Sequence, residues 1–220
     1  MLILSLGLFM ACQSEIDTKP AAEVKDVTAE VKKSVKPSPL ANKKLVKMPP
    51  PGAKIEPAQP VINGMRLSED STVEFIGAKV TVDHKGGFKT VTGGATLGED
   101  GSINSVNLEI DMTSVYADDF PGSTKFVSHL KAQDFFFVEQ HPTASFKSTK
   151  IEGNTITGIF DMRGVQKEIS FDATLAKSEP YGLKAEFKIN RKLWGIEYAG
   201  KADNLIKDDV AIIADLKFTK

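Results

Sequence analysis

Residues 106–112 read Val-Asn-Leu-Glu-Ile-Asp-Met, with an apolar residue at every second position. Successive side chains of a β-strand point to opposite faces, so this alternation predicts a strand with one buried face and one face in water. The same pattern returns at 155–162, 169–175, 183–190 and 210–218. Such sustained alternation is typical of antiparallel sheet.

Three further segments bring the number of predicted strands to eight. The first of them begins at Val73, and the other two lie near 86–97 and 143–151. Eight antiparallel strands with one apolar face can close into a barrel, and closure removes the unpaired sheet edges. We therefore expect an all-β fold, an eight-stranded antiparallel barrel with a short helical excursion, and a two-layer sandwich is the alternative. The apolar phase of the first strand changes at Gly77, which predicts a β-bulge there.

The excursion runs from Thr113 to Pro142, between the third and fourth predicted strands. Residues 123–130 predict a short helix with an apolar face. Three consecutive phenylalanines follow at 135–137, and leaving such a run in water would cost roughly 1.5–3 kcal/mol per ring. The run must therefore face an interior, and at a barrel mouth it would form a lid lined by aromatic rings.

The inward positions of the strands mix large apolar residues with small ones. A barrel of eight strands is just wide enough to fill itself with side chains or to hold one small ligand. Repeated small residues favour a cavity, although they could instead accommodate Trp194 or the phenylalanine run folding inward. The small residues are Ala144, Gly158, Ala173, Ala185 and Ala214.

Composition divides the chain before the barrel begins. No Phe, Tyr or Trp occurs between Met10 and Glu74, and eight of the eleven prolines lie between Pro20 and Pro60. A segment of this kind cannot bury enough apolar surface to offset its ordering entropy. We expect a disordered linker over 13–65 and one folded domain over 66–220. Within 21–35 the spacing of the valines leaves two alternatives, transient helix in a solvated linker or short amphipathic helices.

The amino-terminal residues 1–12 are apolar and end in the only cysteine, Cys12. Twelve residues are too few to cross a bilayer as a helix, but they match the length of a secretory apolar region. Ala11-Cys12 followed by polar residues resembles the cleavage box of bacterial lipoproteins, in which the cysteine becomes acylated. We expect lipidation at Cys12 and a place in the bacterial cell envelope, periplasmic or on the cell surface. The alternative is an apolar tail with an ordinary thiol.

Several function classes find no support in the sequence. The formal net charge of -1 gives no electrostatic reason to expect nucleic acid as a partner. His84, His129 and His141 match no metal-ligand spacing, so no metal or other cofactor is expected. No Gly-x-Ser-x-Gly elbow is present, and Asp118-Asp119 are better explained as loop residues than as acid–base catalysts.

The folded part resembles the YceI-like family, polyisoprenoid-binding lipocalin-like barrels of the bacterial envelope. The resemblance rests on a block of motifs rather than on one residue, and Arg163 departs from it by standing where many members have His. The motifs are His129-Leu130, Asp134-Phe135-Phe136, Pro142-Thr143, Phe146-Lys147-Ser148-Thr149, Gly158, Gly164-Val165, Lys167, Ile189-Asn190-Arg191 and Gly195-Ile196.

The resemblance implies a barrel whose tunnel holds a long isoprenoid tail, and a carrier rather than an enzyme. The other hypotheses are an envelope interaction domain with a filled barrel and an enzyme that acts on a lipid. We expect His129 and Arg163 at the mouth, near the head group of the ligand. The residues expected to line the tunnel are Phe75, Ile110, Met112, Phe135, Phe136, Phe146, Phe160, Phe171, Phe187 and Trp194.

Overall fold

A computed structural model describes residues 14–27, 64–79, 82–118, 124–201 and 204–220. These residues form strands, three short 3₁₀ helices and one α-helix, α1 (Thr124–Lys131). None of the helices in these ranges is long and apolar enough to span a membrane. The strands are β1 (Glu23–Asp26), β2 (Met65–Leu67), β3 (Thr72–Lys79), β4 (Asp83–Phe88), β5 (Val91–Leu97), β6 (Ile103–Asp111), β7 (Val115–Ala117), β8 (Thr143–Glu152), β9 (Thr155–Met162), β10 (Val165–Leu175), β11 (Tyr181–Asn190), β12 (Gly200–Lys201) and β13 (Asn204–Thr219).

The strands close into an antiparallel barrel of eight, which confirms the predicted fold and rules out the sandwich. Three of the eight are interrupted, so that β2 continues into β3, β4 into β5 and β6 into β7. The ring then runs from β6 through β8, β9, β10 and β11 to β13, which pairs with both β2 and β3. Closure leaves one face of each strand for the core and one for water, as the alternation requires.

The predicted irregularity in the first strand lies opposite Gly77. The register of β3 with β13 shifts between Ile206 and Val210, and Gly77 pairs with Val210. Ile76 breaks the inside–outside alternation for a different reason: it points outward but is 1% exposed, because a separate segment covers it.

That covering segment is residues 14–27, so the prediction of a disordered linker from residue 13 is wrong over this stretch. A 3₁₀ turn, Glu15–Thr18, places the fully buried side chain of Ile16 on Ile76 and Ala211. Polar contacts fix the turn and its flanking residues to three strands of the barrel, β4, β11 and β13. They are Ser14 Oγ to Asp83 Oδ1 (2.7 Å), Lys85 Nζ to Glu15 (2.7 Å), Lys207 Nζ to Asp17 (2.7 Å) and Lys19 Nζ to Glu186. The rest of the expected linker, 28–63, lies outside the described residues.

After this turn the chain enters a seam of the barrel. β10 and β11 pair directly only where Ala173–Leu175 meets Leu183–Ala185. Beyond that point β1 pairs antiparallel with β10 over Lys167–Ser170. On the other side, Ala22 N donates to the carbonyl of Lys188 (2.9 Å), and Lys188 N donates to that of Pro20 (2.8 Å). The amino-terminal segment thereby supplies hydrogen-bond partners to two strand edges that would otherwise be unpaired.

Candidate functional site: an apolar cavity in the barrel

The barrel encloses a cavity of about 170 Å³ along its axis. Its lining runs along β11 from Leu183 to Ile189 and on to Arg191, a path of about 26 Å of strand at roughly 3.3 Å per residue. With the strand tilt of a barrel this corresponds to roughly 20 Å along the axis. The wall exposes apolar atoms only, so the cavity offers a dry, elongated space to an apolar guest.

Aromatic rings form one side of the wall around Phe187, which lies midway between Leu183 and Arg191. Phe171 and Phe187 stack face to face, with ring centroids 4.2 Å apart and planes inclined by 14°. Phe146 tilts against Phe171 at 5.6 Å. Such pairs contribute about 0.5–1.5 kcal/mol each beyond their burial, so they stabilise this part of the wall.

The excursion supplies a second group of rings. Phe136 lies 6.0 Å from Phe75 and 5.7 Å from Phe88, centroid to centroid. Phe75, Phe88 and Phe136 all line the cavity, as does Leu130 of α1. The helix predicted at 123–130 is confirmed as α1, and it holds the aromatic loop against the barrel.

The third phenylalanine of the run turns away from the cavity. Phe137 adopts a left-handed backbone conformation with φ of 49° and packs on the ring of His141 at 5.8 Å. A left-handed residue reverses the chain, which lets Phe135 and Phe136 face inward while Phe137 does not.

Nine of the ten residues expected to line the tunnel do so: Phe75, Ile110, Met112, Phe135, Phe136, Phe146, Phe160, Phe171 and Phe187. Trp194 does not. It is fully buried behind the wall, where its ring packs on Phe160 at 5.3 Å. Its indole N–H points to the Phe160 carbonyl at 3.4 Å. The sequence could not show this, because Trp194 lies in a 3₁₀ helix, Arg191–Trp194, rather than in an alternating strand.

His129 and Arg163 do not line the cavity either. His129 Nε2 lies 2.8 Å from Asp134 Oδ2, and its ring packs edge-on against Phe135 and Tyr198. Arg163 donates to the main-chain carbonyls of Gln133 (3.0 Å) and Phe135. Both side chains therefore hold the aromatic loop from outside, and burial lowers the pKa of Arg163.

The charged and polar side chains that do line the cavity are others: Glu74, Lys79, His84 and Arg191. Arg191 is 3% exposed and donates to the carbonyls of Lys207 (3.0 Å) and Ile196 (2.6 Å). Desolvation lowers its pKa, and Asp208 at 3.6 Å acts in the opposite direction. His84 is also buried and packs on Phe126 at 5.4 Å. Lys79, His84 and Arg191 share the end of the barrel formed by the β3–β4 turn and the start of β13.

A signal for Arg191 existed in the sequence. Asn190 precedes it at the end of an alternating strand, and the Asn190 side chain accepts a hydrogen bond from Lys192 N at 3.0 Å, a helix-start contact. Because Asn190 caps the 3₁₀ helix at the end of β11, the first residue of that helix, Arg191, lies at the end of the barrel. Within the described ranges no three His, Cys, Asp or Glu side chains come together where a metal could bind. Cys12 and Asp119 lie outside those ranges.

Comparison with known proteins identifies the family. The model of the YceI-like domain matches residues 67–218, more than half of the chain, and the chain belongs to this family. A curated relative from Photorhabdus laumondii, the UPF0312 protein plu2095, is 29% identical over 126 residues. That match covers 54% of this chain and 64% of the relative, so the chain spans less than two thirds of that protein.

Two solved structures share the fold. BcnA from Burkholderia cenocepacia is 20% identical with a TM-score of 0.58, over 68% of this chain and 96% of BcnA. A polyisoprenoid binding domain from Saccharophagus degradans, implicated in plant cell wall breakdown, is 16% identical with a TM-score of 0.57, over 70% and 97% of the two chains. At these identities the likeness concerns the fold.

Proposed function

We propose that this YceI-like barrel binds one long apolar lipid of the polyisoprenoid class in its cavity and carries it without chemical conversion. The observation that carries the proposal is the elongated cavity, walled by apolar side chains from Leu183 at one end to Ile206 at the other. The name of the Saccharophagus degradans neighbour agrees with this class of ligand.

The size and shape of the cavity favour a narrow chain. Its volume of about 170 Å³ is more than ten times the space of about 10–15 Å³ that one water needs. An apolar space of this size gains nothing from water, whereas each methylene-sized group of a bound lipid contributes roughly 0.8 kcal/mol. This volume is spread over roughly 20 Å along the axis, so an extended tail fits better than a compact ring system.

The polar end of the ligand belongs at the end of the cavity opposite Leu183. Lys79, His84 and Arg191 line that end with apolar atoms only, so a polar head group would meet their charged or polar groups at the opening and not inside the cavity. His129 and Arg163 would contribute to lipid binding indirectly, since they position the loop that carries Phe135.

The competing hypotheses fit the site less well. A filled interaction barrel would leave no elongated cavity. An enzyme that attacks the lipid covalently through a hydroxyl or thiol would need that nucleophile within reach of the bound lipid. The described residues that line the cavity include Glu74, Lys79 and His84 but no Ser, Thr or Cys.

A titration with a long-chain prenol tests lipid binding, and Trp194 provides the signal. It is the only tryptophan of the chain and packs on Phe160, which lines the cavity. We expect a saturable change in its emission at one prenol per protein. Ala144→Phe, which places a ring into the cavity, should weaken binding at least about tenfold, the equivalent of 1.4 kcal/mol. A signal that does not saturate, or one that Ala144→Phe leaves unchanged, would contradict binding in the cavity.

We further propose that the protein is held on a bacterial envelope membrane by acyl chains on Cys12. One acyl chain binds only marginally and two or more anchor firmly, so a lipoprotein-type anchor would be stable. Replacing Cys12 by Ser in the native host should remove the lipid mass from the mature amino terminus and block cleavage of residues 1–11. An amino-terminal peptide without acyl mass in the unsubstituted protein would refute the anchor.

A further inference from the structure

Three aliphatic side chains stand out on the surface of this barrel. Among the large apolar residues in the described part of the chain, Val82 is 45% exposed, Leu193 42% and Leu205 49%. They belong to three different segments: the β3–β4 turn, the 3₁₀ helix after β11 and the start of β13. Single exposed apolar residues are ordinary, but three on one end of a barrel form a surface feature.

The backbone brings these segments together. Lys79 N donates to the carbonyl of Val82 at 2.8 Å, and Lys79 pairs with Ile206, the neighbour of Leu205. Arg191, two residues before Leu193, donates to the carbonyl of Lys207 at 3.0 Å. We call Val82, Leu193 and Leu205 the apolar rim.

The apolar rim lies at the polar end of the cavity. Each of its residues lies within two positions of a residue that lines the cavity, namely His84, Arg191 and Ile206 respectively. A lipid that enters or leaves at this end must therefore pass the rim.

The amino terminus of the folded chain is fixed at the same place. Ser14 Oγ and Glu15 N both donate to the carboxylate of Asp83, at 2.7 and 2.8 Å, and Asp83 adjoins Val82. One residue separates Ser14 from Cys12, and two residue steps span at most about 7 Å. A group attached at Cys12 is therefore joined to the chain within about 7 Å of Ser14, which Asp83 holds beside the rim.

Several of the described charged side chains around the rim form ion pairs. Lys85 pairs with Glu15 at 2.7 Å, Lys207 with Asp17 at 2.7 Å, and Lys192 with Asp208 at 2.9 Å. Paired surface charges give little net attraction to a charged partner. This end of the barrel combines exposed apolar side chains with an apolar leader, and both are compatible with contact to a lipid bilayer.

We propose that the apolar rim docks on the membrane, so that the polar end of the cavity opens onto the lipid head groups. The amino-terminal segment 14–27 sets this orientation, because it joins the anchor directly to the rim instead of separating the two by a long linker. The proposal extends the proposed function, since a carrier held in this way would exchange lipid with the bilayer without leaving it.

Nitroxide labels on the mature, membrane-bound protein test the orientation. One label replaces Leu193 (Leu193→Cys), and the matched control replaces Asn154 (Asn154→Cys), an exposed turn residue at the opposite end of the barrel. Mass spectrometry counts the labels and reports a Cys12 thiol that was not acylated. We expect position 193 to be more accessible to oxygen than to a water-soluble nickel chelate, and position 154 to show the reverse.

A second variant gives the size of the effect. About half of each rim side chain is still exposed, so its transfer into the bilayer should shift the docking equilibrium about fivefold. The double substitution Val82→Ser and Leu205→Ser should therefore lower the docking equilibrium constant, measured with the label at 193, by about 25-fold. High salt should change it little, because the surrounding charges are paired.

Water-like accessibility at 193, equal to that at 154, would overturn the docking proposal, as would a protein absent from membranes. The prenol titration is independent of this readout. If label 193 lies in the bilayer but the protein binds no prenol, the proposed lipid carrier function is refuted and the docking proposal still holds.

Discussion

Replacing Gly158 by Ala should destabilise the barrel, because the wall of the cavity leaves no room for a methyl group there. A Cβ at this position would lie 2.5 Å from Phe146 Cζ and 2.6 Å from the main-chain oxygen of Lys147. Ordinary contacts between such atoms are about 3.5–4.0 Å, so both must retreat by roughly 1 Å. The oxygen belongs to the β8–β9 ladder and cannot rotate away, and the ring is held by Phe171 at 5.6 Å.

The expected loss of stability in Gly158→Ala follows from two opposing effects. Forcing an extra carbon into a packed core costs about 1–3 kcal/mol. Loss of glycine's conformational freedom in the unfolded chain offsets about 0.5–1 kcal/mol of that. We therefore expect the free energy of unfolding to fall by about 1–2 kcal/mol, measured by urea denaturation with an unchanged slope.

Gly77→Ala is the matched control. It changes the same residue type in another barrel strand, but nothing lies within 4 Å of the added Cβ. We expect no loss, and up to about 0.5–1 kcal/mol of gain. Equal effects of the two substitutions would refute the description of Phe146, Phe171 and Phe187 as a packed wall.

Three other predictions concern the periphery of the barrel. Ile16→Ser should release residues 14–27, since it exchanges the one fully buried side chain of that segment for a hydroxyl. Hydrogen exchange of the 21–26 amides should accelerate while the barrel stays protected, and unchanged protection of these amides would contradict the docking of the segment. Arg163→Lys should loosen the aromatic loop by about 1–2 kcal/mol, because an ammonium cannot reproduce the donation to the carbonyls of Gln133 and Phe135, and near-neutral behaviour in denaturation would refute that role. Burial, and next the charge of Arg163, lower the pKa of His141 in the folded state, so its contribution to stability should be fully present above the unfolded pKa of about 6.5 and be lost as the pH drops below it. His141→Gln should remove part of this dependence of the unfolding free energy on pH. A variant whose stability falls with pH in parallel to the unsubstituted protein would contradict the pKa shift.

The strands could be predicted because their physical cause is local. A strand with one wet face must alternate, and eight alternating segments were enough to indicate a closed barrel. The rings of the wall followed from the same register, since Phe160, Phe171 and Phe187 occupy inward positions.

The small residues were only partly understood from sequence. Ala144 and Ala214 do line the cavity. Gly158 instead makes room for the ring of Phe146, which a Cβ would meet at 2.5 Å. Composition cannot separate these two uses, because both require a missing side chain on the inner face.

The amino-terminal segment could not be found from local pattern. Its strand, Glu23–Asp26, has four residues, and Ile16 is its one fully buried side chain. What orders it is the seam between β10 and β11, whose free carbonyl and amide groups lie more than 140 residues away in the sequence. Sequence could not show which charged residues line the cavity for a similar reason: the fold turns His129 and Arg163 toward the loop and brings Arg191 to the cavity.

The most direct test of the account is the lipid content of the protein itself. The full chain, isolated in mild detergent from the membranes of its native host, is examined intact by mass spectrometry and again after extraction with organic solvent. We predict one isoprenoid lipid per barrel, retained until the protein unfolds. A preparation with no stoichiometric lipid, which also takes up no long-chain prenol, would contradict the central claim.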